Sequence, residues 1–209
     1  MRRLATPAVV LLALLSYPAA PAQALSRLEP SGGAGASFLL QPGAVTDRWN
    51  TGFALSAALR WKPMPRLFVG IEVGYQRQPL DEEAFTASIR PLYPNVSVSG
   101  GDLWMLPVNV IGELDLVRWG TTKPFVRGGA GVVAIGTTNF SASGPGAPQV
   151  VSDFTGAAPE ETVFGALAGV GVRTPLGPGL ELTIDATWHM AATTGETTSF
   201  LPVRIGLVF

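Results

Sequence analysis

The stretch Ser199-Phe200-Leu201-Pro202-Val203-Arg204-Ile205-Gly206-Leu207-Val208-Phe209 decides how the rest of the sequence is read. At a period of two it splits into two rows. Leu201, Val203, Ile205, Leu207 and Phe209 are all apolar. Phe200, Pro202, Arg204, Gly206 and Val208 include a charge, a glycine and a proline. Such alternation predicts a β-strand with two unlike faces, because successive side chains of a strand point to opposite sides. A strand must also pair its backbone N–H and C=O groups, so this one predicts a sheet.

Seven segments upstream repeat the pattern. Residues 33–40 place Ala34, Ala36, Phe38 and Leu40 on one side. Residues 50–62 set Phe53, Leu55, Ala57, Leu59 and Trp61 against Ala54, Ser56, Ala58 and Arg60. Residues 66–77 set Leu67, Val69, Ile71, Val73 and Tyr75 against Phe68, Gly70, Glu72, Gly74 and Gln76. Residues 102–117 oppose Trp104, Leu106, Val108, Val110, Leu114 and Leu116 to Pro107, Asn109, Glu113 and Asp115. Residues 123–139 are glycine-rich, with Arg127 on the mixed side, and 160–173 carry Arg173 there. Residues 179–190 oppose Leu180, Leu182, Ile184, Ala186, Trp188 and Met190 to Glu181, Thr183, Asp185, Thr187 and His189.

The segments between them alternate in length. Residues 41–49, 78–101, 140–159 and 191–198 read as loops, and 63–65, 118–122 and 174–178 as short turns. Eight strands of about 8 to 17 residues, against the roughly 9 to 11 needed to cross a bilayer, with long connections at one end and short ones at the other, predict an all-β fold. It is an eight-stranded antiparallel up-and-down transmembrane β-barrel, whose apolar rows face lipid and whose mixed rows face the lumen.

Composition agrees. Charged residues are 14% of the 209, below the roughly 25% usual in soluble domains. The sequence has no cysteine, which excludes disulfides, thiolate metal sites, cysteine catalysis and a lipoprotein anchor. Residues 1–24 read as a secretory signal, removed to leave a barrel domain of residues 25–209. Arg2 and Arg3 precede an apolar run at residues 8–15, too short to span a bilayer, and Ala22-Gln23-Ala24 supplies the cleavage site. Without the two arginines the basic count is 14 − 2 = 12 against 15 acids, a net charge of −3. Basic residues are scattered, so no nucleic-acid partner is expected.

The mixed rows hold Arg60, Arg127, Arg173 and Arg204 against Glu72, Glu113, Asp115, Glu181 and Asp185. An eight-stranded barrel is just wide enough inside for side chains, so these nine are expected to form a lumen charge network, with Arg60 and Arg173 in water at the mouths. Trp61 and Phe209 near the turn ends, and Tyr75, Trp104 and Trp188 near the loop ends, are expected to form two aromatic girdles at the membrane interfaces. Pro107 and Pro202 interrupt strands, where each removes a ladder donor; a bulge at the rim is the expected remedy.

Several features carry a resemblance: the signal peptide, Leu-Pro-Val at 106–108 and 201–203, Lys123-Pro124-Phe125-Val126-Arg127-Gly128-Gly129-Ala130-Gly131, and the terminal Phe209. On these the chain resembles the bacterial outer-membrane β-barrel domain family of small OmpA- and OmpX-like barrels over residues 25–209. The resemblance implies an outer-membrane location in a Gram-negative bacterium and contact with outer-membrane lipid and lipopolysaccharide. It also implies recognition of the last strand, ending at Phe209, by the barrel-assembly machinery. It carries no catalytic residues.

The residues themselves offer no catalytic, cofactor or metal site. His189, the only histidine, has Asp185 four residues away along the strand, too far for a base and its orienter, and reads as a rim residue. Outer-membrane lipid A deacylases resemble this fold and use a serine two residues after the histidine; here that position is Ala191. Asp81-Glu82-Glu83 could take calcium or bridge lipopolysaccharide through a cation, but reads as a solvated loop. The expected function is a non-enzymatic barrel with a filled lumen, displaying loops 78–101 and 140–159 to a ligand of unknown kind. One alternative is a narrow OmpW-like channel for small apolar molecules, with Gly165, Gly169, Gly171 and Gly206 leaving room. The other is a soluble lipocalin-like barrel with its apolar rows inward.

Overall fold

The computed structural model describes residues 28–41, 48–117, 119–157, 160–194 and 196–209. The leader reading, residues 1–24, lies outside the described residues. Eight long strands form a closed antiparallel barrel: β1 (Leu28–Gln41), β2 (Gly52–Met64), β3 (Leu67–Gln78), β5 (Leu103–Asp115), β6 (Lys123–Thr137), β8 (Glu161–Gly177), β9 (Leu180–Thr193) and β10 (Glu196–Val208). Each pairs with its neighbours in the chain, and β10 closes on β1. The pairing Asp115–Phe125–Gly171–Asp185–Arg204–Gly35–Ala54–Gln76–Met105 runs once around and returns to β5 ten residues away (115 − 105). That stagger obliges the strands to tilt against the barrel axis.

The rows sort as the alternation predicts. On β10, Ile205 is 60% exposed while its neighbour Arg204 is 4% exposed. Ile184, Trp188 and Phe209 are exposed too, and Asp185 is buried. This sorting overturns the lipocalin-like alternative, which needs the apolar rows inside.

The boundaries differ in instructive places. β1 starts at Leu28, five residues before the expected Gly33, so Glu29 and Ser31 join the barrel wall. β8 continues through the supposed turn as far as Gly177, with a register shift at Pro175/Gly177. Residues 191–198 are not a long loop: β9 and β10 stay paired up to Thr193 and Glu196, and only Thr194 and Gly195 separate them. Neither proline makes a bulge. The β3–β5 ladder skips two pairs at Pro107 and the β9–β10 ladder two at Pro202, and both resume in register. Pro107 fits because Gly74 lies against it: a Cβ on Gly74 would come 2.9 Å from the Pro107 ring.

The two longest connections, expected as loops, fold together. Residues between β3 and β5 form α1 (Glu82–Ile89) and β4 (Ser97–Gly100); those between β6 and β8 form β7 (Phe140–Ser143) and α2 (Ala147–Ala157). α1 begins where the acidic run begins. Asp81 is its N-cap, accepting from Ala84 N–H at 2.9 Å. Glu82 accepts from Gly100 N–H at 3.1 Å. Carboxylates in a first turn also match the positive end of the helix. β4 pairs with β7. Their inward residues Val98 and Phe140 join Leu80, Phe85, Val96, Val150 and Phe154 in an apolar core. Phe140 and Phe154 stack at 4.0 Å, and Phe85 meets both edge-on. Gly101, which leads into β5, needs φ +79° and has the Phe140 ring 2.8 Å from where a Cβ would sit, so no larger residue suits the position. The result is a folded cap at one end of the barrel. The cap is pinned to the chain before β2, since Asn50 N–H donates to Pro79 C=O, Asp81 N–H to Arg48 C=O and Trp49 Nε1–H to Gly101 C=O.

Candidate functional site: the filled lumen

The site is built from the inward rows. Inverting a strand's usual polarity leaves the charges inside, where each needs a partner, because an unpaired buried ion costs several kcal/mol, of order ~3–5 when one partner is removed. They find partners in two clusters and a pair. In the first cluster, Arg204 contacts Asp185 at 2.7 Å and Glu72 at 3.3 Å, while Arg127 contacts Glu72 at 2.7 Å and Asp185 at 3.9 Å. Two cations and two anions thus close a neutral ring. In the second, Glu113 is shared by Arg60, at 2.9 Å, and Arg173; Arg60 also reaches Glu29 at 3.4 Å, and Arg173 reaches Asp115 at 3.0 Å. Lys123 and Glu181 pair nearer the mouth away from the cap, half-buried.

The tilt explains which charges meet. Arg204 and Asp185 are direct cross-strand neighbours and do pair. Glu113 and Arg127 are also direct neighbours, yet bind elsewhere. With a ten-residue stagger, residues at one height lie on different hydrogen-bonded rows, so Glu113 meets Arg60 and Arg173 across the lumen. Arg60 and Arg173 are therefore not in water at the mouths: Arg173 is 1% exposed, and Arg60 is buried as well. Phe68 lies beneath both guanidiniums, at 5.3 and 4.7 Å, and Phe125 lies 4.8 Å from that of Arg173. The negative ring faces receive the cations where water is excluded.

Towards the cap the lumen changes character. Ser37, Gln76 and Gln78 form a hydrogen-bonded polar layer. His189, expected at the rim, is buried here at 2% exposure and stacks on Phe200 with centroids 4.8 Å apart. Above lies a second apolar core of Leu103, Met105, Val133, Ile135, Ala191 and Phe200. The charge network therefore fills only the half of the lumen away from the cap. Trp49 packs against both this plug and the cap core, making them continuous.

The room expected at Gly165, Gly169, Gly171 and Gly206 is largely occupied by neighbouring atoms. A Cβ at Gly171 would lie 2.4 Å from the Phe125 ring, and one at Gly165 2.6 Å from Val133. The space a glycine frees is taken by the neighbouring side chain. A cavity of about 30 Å³ remains beside Ser31, Ser56, Arg60, Glu72, Arg127 and Arg204, room for about two water molecules. Among the described residues, the Nε–H groups of Arg60, Arg127 and Arg173 have no hydrogen-bond partner.

The structure brings all nine expected lumen charges onto inward rows, in the groupings above. Sequence reasoning missed Glu29 and Lys123 as partners; two further steps of the β1 alternation from Gly33 reach Glu29, and Lys123 already lies in step with Arg127 in residues 123–139. It also missed the apolar plug, although the inward rows of β5, β6 and β10 turn apolar towards their cap ends. Trp61, Trp188 and Phe209 are exposed on the outward rows. Tyr75 packs near Phe53, with rings 5.9 Å apart, and Trp104 lies over Gly136. Asp81, Glu82 and Glu83 open a helix, and among the described residues no group of three or more His, Asp or Glu is placed to hold a metal. No helix among the described residues is long and apolar enough to cross a membrane, which says nothing of strands.

No protein-family model matches the sequence, and no curated protein matches it. Solved structures do match in fold. Neisserial surface protein A is 10% identical, with a TM-score of 0.52 over 87% of this chain and 95% of that one. Ail, the attachment invasion locus protein of Yersinia pestis, is 13% identical, with a TM-score of 0.48 over 87% and 97%. The outer membrane enzyme PagL is 13% identical, with a TM-score of 0.43 over 87% and 99%. Of the three, the first alone exceeds a TM-score of one half, and at that identity the likeness is one of fold. The chain has the fold of the small eight-stranded outer-membrane β-barrels.

Proposed function

We propose that this chain is an integral outer-membrane protein of a Gram-negative bacterium that works without catalysis, as a filled barrel holding a folded cap outside the cell. The observation that carries the reading is the cap itself. Two connections that would be costly to order separately share one apolar core, and that core is continuous with the plug in the lumen. Such a platform suits presentation of a fixed surface, and the serines on its outward face are positioned for contact with a ligand or with lipopolysaccharide. The apolar outward rows support contact with membrane lipid. Phe209, exposed beside the end of β10, supports recognition of that strand by the barrel-assembly machinery.

The narrow-channel reading competes directly, and the occupied glycine positions count against it. Planar-bilayer recording of the purified protein tests both. The filled lumen predicts no stable openings; steady, solute-dependent conductance would overturn it and favour the channel.

A further inference from the structure

We propose that the three short turns at the end opposite the cap are seated in the phospholipid surface of the inner leaflet, and do not project into the aqueous space beyond it. This rests on the membrane reading above. Water-facing turns are ordinarily rich in Asp, Asn, Ser, Gly and Pro, and the cap surface is mostly polar, with Glu82, Glu83, Asn95, Ser97 and Ser99 exposed beside a single exposed leucine, Leu92. The three turns keep Pro65, Gly120, Pro178 and Gly179 but hold no Asp, Asn or Ser. Their exposed residues include Met64, Val117, Trp119 and Leu176, with Val117 69% and Trp119 73% exposed. Between the paired strands at this end the sequence has two ionic side chains, Arg66 and Arg118, both basic.

The turns also form one surface. Asp115 N–H donates to Arg66 C=O at 2.9 Å, joining the first turn to the second, and the Thr122 and Thr174 hydroxyls meet at 3.1 Å, joining the second to the third. That surface continues the outward rows without a break. Trp61, Leu114 and Phe209 lie just above it, and two ion pairs at this end sit on inward rows, Lys123 with Glu181 and Asp115 with Arg173. Four large apolar side chains held in water would forgo about 1.5–3 kcal/mol each. Seated at the headgroup level, they are buried, the Trp119 ring takes the position tryptophan favours at a membrane interface, and Arg66 reaches the phosphates.

The sequence has no cysteine, so a single introduced thiol reports from one place. Val117→Cys, Leu176→Cys, Ile205→Cys and Ser99→Cys each receive a nitroxide label, and the full chain is reconstituted in phosphatidylethanolamine–phosphatidylglycerol vesicles. Collision rates are measured with oxygen, which concentrates in lipid, and with a water-soluble nickel chelate. All four positions face outward, so the interior packing stays intact; heat-dependent gel mobility checks this. The expected oxygen-to-nickel ratio at residues 117 and 176 is several-fold above that at residue 99 and approaches that at 205. A ratio at 117 and 176 equal to that at 99, with 205 still shielded from nickel, overturns the seated turns and leaves an aqueous surface open to a protein partner. Nickel access at 205 overturns the membrane reading itself.

Discussion

Glu113 is the residue on which the inner cluster turns, and neutralising it tests the ionic lumen quantitatively. Glu113→Gln keeps the shape and removes the charge. Arg60 and Arg173 both lose their shared partner, and both side chains are nearly inaccessible. Removing one member of a buried ion pair costs about 3–5 kcal/mol, because the other charge stays buried. Glu29 and Asp115 remain beside the two arginines, so the loss should fall near the lower end, about 3 kcal/mol. Glu181→Gln is the internal comparison. Its pair with Lys123 is about a fifth exposed, and a screened pair of that kind contributes about 0–1 kcal/mol. Equilibrium urea unfolding of the reconstituted barrel, followed by tryptophan emission and by gel mobility, measures both. An unchanged denaturant slope ensures that the midpoint shift is a stability change. Equal losses in the two variants, both under about 1 kcal/mol, would refute the reasoning: the lumen would then be hydrated enough to screen Glu113 as it screens Glu181.

Three further outcomes follow from the packing. Gly171→Ala drives a methyl towards the Phe125 ring and should destabilise the barrel by about 1–3 kcal/mol; the same denaturation assay measures it, and no loss would mean the space is free after all. Phe85→Ala removes a ring from the cap core, a loss of about 3–5 kcal/mol, and should make residues 82–100 sensitive to added protease while the barrel keeps its heat-dependent mobility; resistance equal to that of the native chain would show that the cap does not rely on this core. Asp81→Ala deletes the cap of α1 and should cost about 0.5–2 kcal/mol, visible as faster amide exchange over residues 82–89 with no change in the barrel strands.

Much of the barrel is legible because one physical rule sets it. A strand between lipid and a narrow lumen must alternate, so Ile205 and Arg204 announce opposite faces without reference to anything distant. Boundaries are less legible where the rule weakens. Ser31 and Gly33 are small enough to suit either side of the wall, and residues 191–198, rich in threonine, look like a loop although they continue two strands. The membership of the charge network is legible too, since an inward row must hold whatever is ionic. Its pairing is not. Which carboxylate meets which guanidinium depends on the stagger, and the stagger is a property of the closed sheet, not of any one strand. The cap is hidden for a related reason. Val98 and Phe140 each sit in a serine-rich segment that alternates for only four residues, too short to stand out as a strand. Their partnership emerges only when β3–β5 and β6–β8 are brought side by side.

The pairing of β4 with β7 has a consequence for anything that reads the outer surface. The exposed row Ser97–Ser143 and Ser99–Ser141 is contributed alternately by two stretches of chain more than forty positions apart (143 − 97 = 46). A linear peptide copied from either stretch presents half of that row, without the aromatic cluster that holds it flat. An antibody or ligand selected on such a peptide should therefore fail on the intact protein. Conversely, neither stretch is free to change its length alone: an insertion in one displaces hydroxyls supplied by the other, so variation on this face is constrained to come in matched pairs.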